Sequence, residues 1–498
     1  MKTKYMLLAA VLLLAAGCLK NTDEVNYGKF NEVVLSDEKA GDEEGKIMYL
    51  DRFQTLNLTP TITQSIATGE ANLEFSWKIR RNDVKLDPNE YTEWADTRNL
   101  SEEVTAAVGK HRIVYSVTDK NTGIAKYLYY NVQVLGEYTQ GWTILEEVAG
   151  GGDISMILPS GSIARNIYSK ENGEFLETPC RSISLPNFGN LKKVFVLTAT
   201  QGIECSREEY TKVSTFVDWF VSGTEPEARE IKPQLYKYTH NNHGGLVNDS
   251  KYYARIGGGF PGDPAFGGAI PAPVEDNGFR RDYEIAPFIV GRAVSTNTGM
   301  QVIYDNLHRR FLYLALEGLT PCLKHYPYSA ADAWDPTNVG LTMAYMDDSN
   351  ITAVHNALMY DDAGDLYILK FDSRAADVKD VKFPVSKDPV PADLKGFTTA
   401  VSSKVLDHMY VAMGNKIYHY DLPGSSASIA YMYDPAEKVV RMHTINDGGA
   451  ETLYVATYDG TQGRVYYFPL EPTGKIKDET FSERFQGFGK IVDMQYKE

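Results

Sequence analysis

The chain has 498 residues and a formal net charge of −16. Nucleic acids and anionic membrane surfaces are bound through clustered cations, so this balance argues against both as partners. The length allows two or more domains or one very large one, and 43% apolar residues supply enough material for large cores.

The first element is a leader. Lys2 and Lys4 precede the apolar run from Met6 to Ala16, which ends on Gly17. A charged start, a short apolar stretch and small residues at the cut describe a secretory signal over residues 1–17. The stretch falls short of the ~20 residues that span a bilayer. Cys18, directly after Ala15-Ala16-Gly17, resembles the cysteine of a bacterial lipobox, with Leu14 one place earlier than the commonest lipobox leucine. That resemblance implies a covalent lipid on Cys18, palmitate included, as the chain's membrane anchor.

Residues 18–45 are polar and acidic, with Asp23, Glu24, Glu32, Asp37, Glu38, Asp42, Glu43 and Glu44. Such a stretch buries too little apolar area to order itself, so a flexible tether is expected. Lys20, Asp23 and Glu24 resemble the charged surface-export signals of Bacteroidetes lipoproteins; a plain spacer reads equally well from the same residues.

Residues 46–137 turn to short alternating strands. Leu73, Phe75, Trp77 and Ile79 alternate with polar neighbours, as do Ile113, Tyr115 and Val117, then Leu128, Tyr130, Val132 and Val134. Period-two alternation sets one face toward a core. Asp119-Lys120-Asn121-Thr122-Gly123 is a turn. The pattern predicts an immunoglobulin-like sandwich with Trp77 as its buried aromatic. Phe75-Ser76-Trp77-Lys78-Ile79 and the run from Gly109 to Asp119 resemble the PKD-like domain of Bacteroidetes lipoproteins, without the Trp-Asp-Phe-Gly-Asp-Gly signature of typical PKD domains. Gly141-Trp142-Thr143-Ile144-Leu145-Glu146 is similar to the junction that follows that domain.

Residues 138–498 contain a repeat. Apolar-aromatic strands centre on Ile144, Phe195, Tyr253, Tyr313, Tyr367, Tyr410 and Tyr454, recurring about every 43 to 60 residues, and several are followed by a turn and a second aromatic strand. This predicts a β-propeller, with seven blades favoured and an irregular β-sandwich as the alternative. Lys490-Ile491-Val492-Asp493-Met494 reads as a strand that closes the ring against the first blade. The fold class is therefore all-β.

Cys180, Cys205 and Cys322 are spaced wrongly for zinc; Cys180 and Cys205 are the one pair near enough in sequence to suggest a disulfide. No His-Glu-x-x-His, Gly-x-Ser-x-Gly, phosphate-loop or dinucleotide fingerprint occurs, so no catalytic residue, metal ligand or cofactor is assigned. His240-Asn241-Asn242-His243 has a loop composition. Asp361-Asp362-Ala363-Gly364-Asp365 reads as a blade hairpin, and neither it nor Asp347-Asp348-Ser349-Asn350 has full calcium-loop spacing; a structural calcium stays an open alternative. Two long loops carry the candidate ligand-binding rings: Phe260 and Phe266 in one, Tyr326, Tyr328 and Trp334 in the other. Flat rings in polar loops suit stacking on sugars or gripping peptide side chains; covering blade edges is the alternative.

The resemblance to PKD-like lipoproteins implies an outer-membrane protein, lipid-anchored and facing outward, with no enzymatic activity of its own. Its implied partners are a TonB-dependent transporter and the lid lipoprotein of a Sus-type importer, and its implied ligand is a peptide or an oligosaccharide, with peptide favoured because the sequence carries no carbohydrate-enzyme signature. The alternatives are a propeller hydrolase or lyase working at the channel mouth, and a purely structural scaffold.

Overall fold

The computed structural model describes residues 30–498, apart from 42–45, 53, 83–90, 137, 189–190, 241–242, 256–261, 263, 276–277, 292–300 and 318–319. Cys18, the expected leader and most of the acidic stretch lie outside the described residues. The chain forms two compact units, residues 1–137 and 138–498.

In the first unit a five-stranded sheet runs in the order Ile47–Asp51, Ile124–Leu135, Gly109–Asp119, Leu73–Arg81 and Thr92–Ala95. Two strand pairs, Val33–Ser36 with Thr61–Gln64 and Thr55–Leu58 with Leu100–Glu103, supply the opposing layer. The alternating residues of both layers meet in one core of Val33, Leu56, Leu100, Trp77, Tyr115 and Tyr130. Trp77 is fully buried. Its ring stacks on Tyr115 at 4.1 Å, and its indole N–H donates to Thr97 O at 2.8 Å. The Asp119–Gly123 turn closes with the Gly123 N–H donating to Asp119 O at 2.7 Å.

The expected tether is corrected here. Val33–Ser36, inside 18–45, is a strand paired with Thr61–Gln64, and the Tyr130 hydroxyl donates to Asp37 at 3.0 Å. Val33 and Leu35 supply enough apolar surface to dock this short segment despite its acidic surroundings.

The second unit is a β-propeller. Among the described residues, seven antiparallel sheets follow one another, and each of the seven anchors from Ile144 to Tyr454 falls in a different sheet. Blade 1 contains Gly141–Val148 and blade 2 Leu191–Thr198. Blade 3 contains Pro233–His240 and blade 4 Arg310–Glu317. Blade 5 contains Thr342–Asp348, blade 6 His408–Met413 and blade 7 Lys438–Asp447. The C-terminal strand Lys490–Lys497 pairs antiparallel with Gly141–Val148 and touches the innermost strands of blades 2 and 7, so it is the innermost strand of blade 1.

Every gap between neighbouring blades holds its own apolar core. Leu145, Ile154, Val194 and Val196 fill the gap between blades 1 and 2. Phe195, Leu197, Tyr236 and Leu246 fill the next, and so on around the ring to Trp142, Ile144, Val465 and Phe485 between blades 7 and 1. Neighbouring residues of a middle strand therefore go to different gaps. Both faces of each blade are buried, which is why these strands read as continuous apolar runs and not as an alternation.

Candidate functional site

Three of the five candidate rings are packed inside and not open to ligand, as the alternative of covering blade edges has it. Tyr326 stacks on Phe383 at 3.8 Å, and the Trp334 indole donates to Ser386 O at 3.0 Å; both belong to the core between blades 4 and 5. Phe266 is fully buried in the core between blades 2 and 3. The physical reason is that long insertions must cover the blade edges they cross, and large rings gain most by burial. Tyr328 remains exposed, and Phe260 lies outside the described residues. Cys180, Cys205 and Cys322 are free thiols, so the suggested disulfide is absent; burial pushes the Cys180 thiol up to about 12.

Polar groups converge instead on the propeller axis, where the innermost strands of different blades end. Lys237, Tyr238 and Thr239 of blade 3, Gly291 of blade 4 and the turn from Asp348 to His355 of blade 5 line a cavity of ≈ 390 Å³. Gly291 permits this approach, since a Cβ there would lie 2.9 Å from Thr239 Cβ. Beside the cavity Asp347 accepts from the Ser402 N–H at 3.1 Å and pairs with Lys404 at 3.3 Å, joining blades 5 and 6. Glu451 accepts from the Ser403 hydroxyl at 2.6 Å, joining blades 6 and 7. Asp493 pairs with Arg441 at 2.8 Å and accepts from the Ile183 N–H at 3.0 Å, joining blades 7, 1 and 2.

One arrangement at the cavity has the members of a hydrolase triad. His355 Nδ1 lies 2.9 Å from Asp348 Oδ1, and His355 Nε2 lies 2.9 Å from Ser373 Oγ. Exposure runs the wrong way for nucleophilic attack. Ser373 is fully buried and donates to Ala353 O at 3.0 Å, whereas Asp348 faces solvent. A triad needs the hydroxyl at the substrate and the carboxylate behind it. Desolvation beside the cavity works against ionisation, but the His355 hydrogen bond and charge, with Lys237 and Lys404 nearby, outweigh it and hold the carboxyl below the usual carboxylate range. It is an ionised anchor and no proton donor. Among the described residues no three His, Cys, Asp or Glu side chains are grouped to hold a metal ion. Asp361–Asp365 is the hairpin between Val354–Tyr360 and Leu366–Asp372. Its Asp362 pairs with Arg309 at 2.5 Å. Pro233–His240 and His243–Asn248 likewise form a hairpin, His240 opposite His243.

Residues 18–179 match a family model described as the PKD-like family. The match spans the first unit and runs on into the opening strands of the propeller. No curated protein matches the chain. Among solved structures, a quinonprotein alcohol dehydrogenase-like protein from Bacteroides thetaiotaomicron is similar at 10% identity and a TM-score of 0.43, over 93% of this chain and 100% of that one. The periplasmic gluconolactonase of Pseudomonas aeruginosa is similar at 10% identity and a TM-score of 0.46, over 72% of this chain and 99% of that one. At such values the likeness says nothing about this chain's chemistry.

The axis groups were not legible as a site in the sequence, because Lys237, Asp348, Arg441 and Asp493 come from different blades with no shared motif. The repeat itself was the available signal: once strands are assigned to blades, their ends are known to meet.

Proposed function

We propose that the chain is a lipid-anchored outer-membrane protein, facing outward, that serves as a non-enzymatic accessory subunit of a Sus-type nutrient importer. The observation that carries this reading is that the PKD-like match begins at Cys18, the residue at which the lipobox reading starts the mature chain. In this reading the lipid holds the propeller beside the TonB-dependent transporter and its lid. That placement raises the local ligand concentration without requiring high intrinsic affinity. The paired state of the axis carboxylates supports binding over turnover, since Asp347 and Asp493 are each held by a cation and a backbone N–H group, and Asp348 by His355. Purification of the tagged native protein in gentle detergent is expected to bring down the transporter and its lid, and recovery of this protein alone would overturn the reading. Replacement of Cys18 by Ala is expected to abolish incorporation of labelled palmitate.

A second reading, a hydrolase at the channel mouth, is favoured by one observation, the Asp348–His355–Ser373 chain beside the cavity. Turnover of ester, peptide or glycoside substrates that is lost in Asp348→Asn would establish it in place of the first.

A further inference from the structure

At the seam between blades 7 and 1 a second cavity, ≈ 170 Å³, opens to solvent away from the groups described above. Five of its eleven lining residues are aromatic, Trp142, Tyr454, Tyr467, Phe485 and Tyr496; Ile157, Leu158 and Pro159 supply an aliphatic side, and Glu483 stands at the rim. The rings contact one another in a chain. Trp142 lies 4.5 Å from Tyr454 and 5.5 Å from Tyr496, Tyr454 lies 4.7 Å from Tyr467, and Tyr467 lies 5.0 Å from Phe485. Successive planes are tilted by 45°, 65°, 71° and 49°, so the rings form walls on several sides and no single flat platform. The floor requires Gly141, at φ +135, because a Cβ there would collide with the carbonyl oxygen of Ile157.

Charge selects the occupant. Glu483 is exposed at the rim, and no lysine or arginine lines the cavity. Glu483 and Asp447 both act on the Tyr454 hydroxyl, which burial first raises above its ordinary value, and Glu483 acts on Tyr467 in the same sense. Several π faces beside a carboxylate favour a desolvated organic cation. A neutral sugar would want a flat ring and a fan of hydrogen-bonding side chains. The volume admits one side-chain head and not a chain of residues.

We infer that the Trp142–Tyr454–Tyr467–Phe485–Tyr496 cleft is a binding site for an organic cation, an ammonium or guanidinium group with a short apolar stem. This site belongs to the propeller alone and does not depend on the importer reading. Two sources carry that chemistry, a basic side chain of a peptide and a free quaternary ammonium compound.

Calorimetry on the full chain tests the inference with N-acetyl-arginine amide, N-acetyl-lysine amide and choline, and with maltose as the neutral probe. Saturable binding of at least one cation, weakening as salt is added, is the expected result. Binding of the amino-acid amides alone assigns the peptide source, and binding of choline alone assigns the free ammonium. Glu483→Gln, at an exposed position, leaves the fold intact and is expected to weaken cation binding about tenfold; Tyr467→Leu is expected to do the same. Binding of maltose without any cation, absence of all binding, or cation binding unchanged in both variants would each overturn it. Failure of transporter copurification would leave this result untouched, so the two proposals fail separately.

Discussion

Two histidines of blades 6 and 7 are expected to make the propeller sensitive to acid. His443 is half-buried beside Trp142, and desolvation pushes it from 6.5 down to about 4. His408 lies 4.4 Å from His419, and burial, then that second imidazole, lowers it to about 4. Below pH 6.5 the unfolded chain takes up protons that these folded residues refuse until about pH 4, so the unfolded state binds more protons across that window. Stability therefore falls as pH drops from about 6.5 to about 4 and is retained in full above it. Urea midpoints measured at pH 7.5 and pH 5 are expected to show this loss, and His443→Gln is expected to reduce it. Arg441 offers a second test at this scale. Removing its charge strands the buried Asp493 with backbone partners only, so Arg441→Met is expected to cost about 1–3 kcal/mol in denaturant unfolding, with Arg441→Lys recovering part.

Among the elements, the strand Val33–Ser36 separates a folded segment from a tether. A tether would tolerate Val33→Asp, whereas a docked strand must bury an unpaired carboxylate next to Leu56 and Trp77. That variant is expected to speed proteolysis within the first unit while protection of the propeller strands stays unchanged in hydrogen exchange. The sequence showed strands with long alternation, such as Leu73–Arg81, because period-two patterning survives where only one face is buried. It also showed the propeller anchors, because each blade places an aromatic or branched residue in a two-sided core. Val33–Ser36 escaped notice because it is only four residues long and lies among acids. The aromatic cleft escaped for a different reason: Trp142 and Tyr454 meet only when the ring closes, and a motif search along the chain has no access to that closure. Tyr326 and Trp334 mark the opposite case: their loop's polar composition left ligand binding and blade-edge cover both open, and the rings are drawn into a core.

For the molecule as a whole, the ring depends on one late strand. Lys490–Lys497 completes blade 1, supplies Asp493 to the axis and Tyr496 to the cleft, and its Lys497 donates to the carbonyls of Tyr138 and Arg207. Deleting residues 490–498 would bare the edge of Gly141–Val148 and open the cores on both sides of blade 1. Exposed edges of that kind template pairing between chains. The truncated chain is expected to aggregate or to elute as an expanded species in size-exclusion chromatography, with the first unit still protected from protease.

That same pairing joins the two ends of the second unit. Gln140 and Tyr496 are hydrogen-bonded across 356 positions of sequence, nearly the whole length of that unit. Loops that long are closed slowly. The blades in between can each collapse as they emerge, but the ring stays an open arc until its final strand is available. Through that interval Gly141–Val148 keeps one edge without its partner strand.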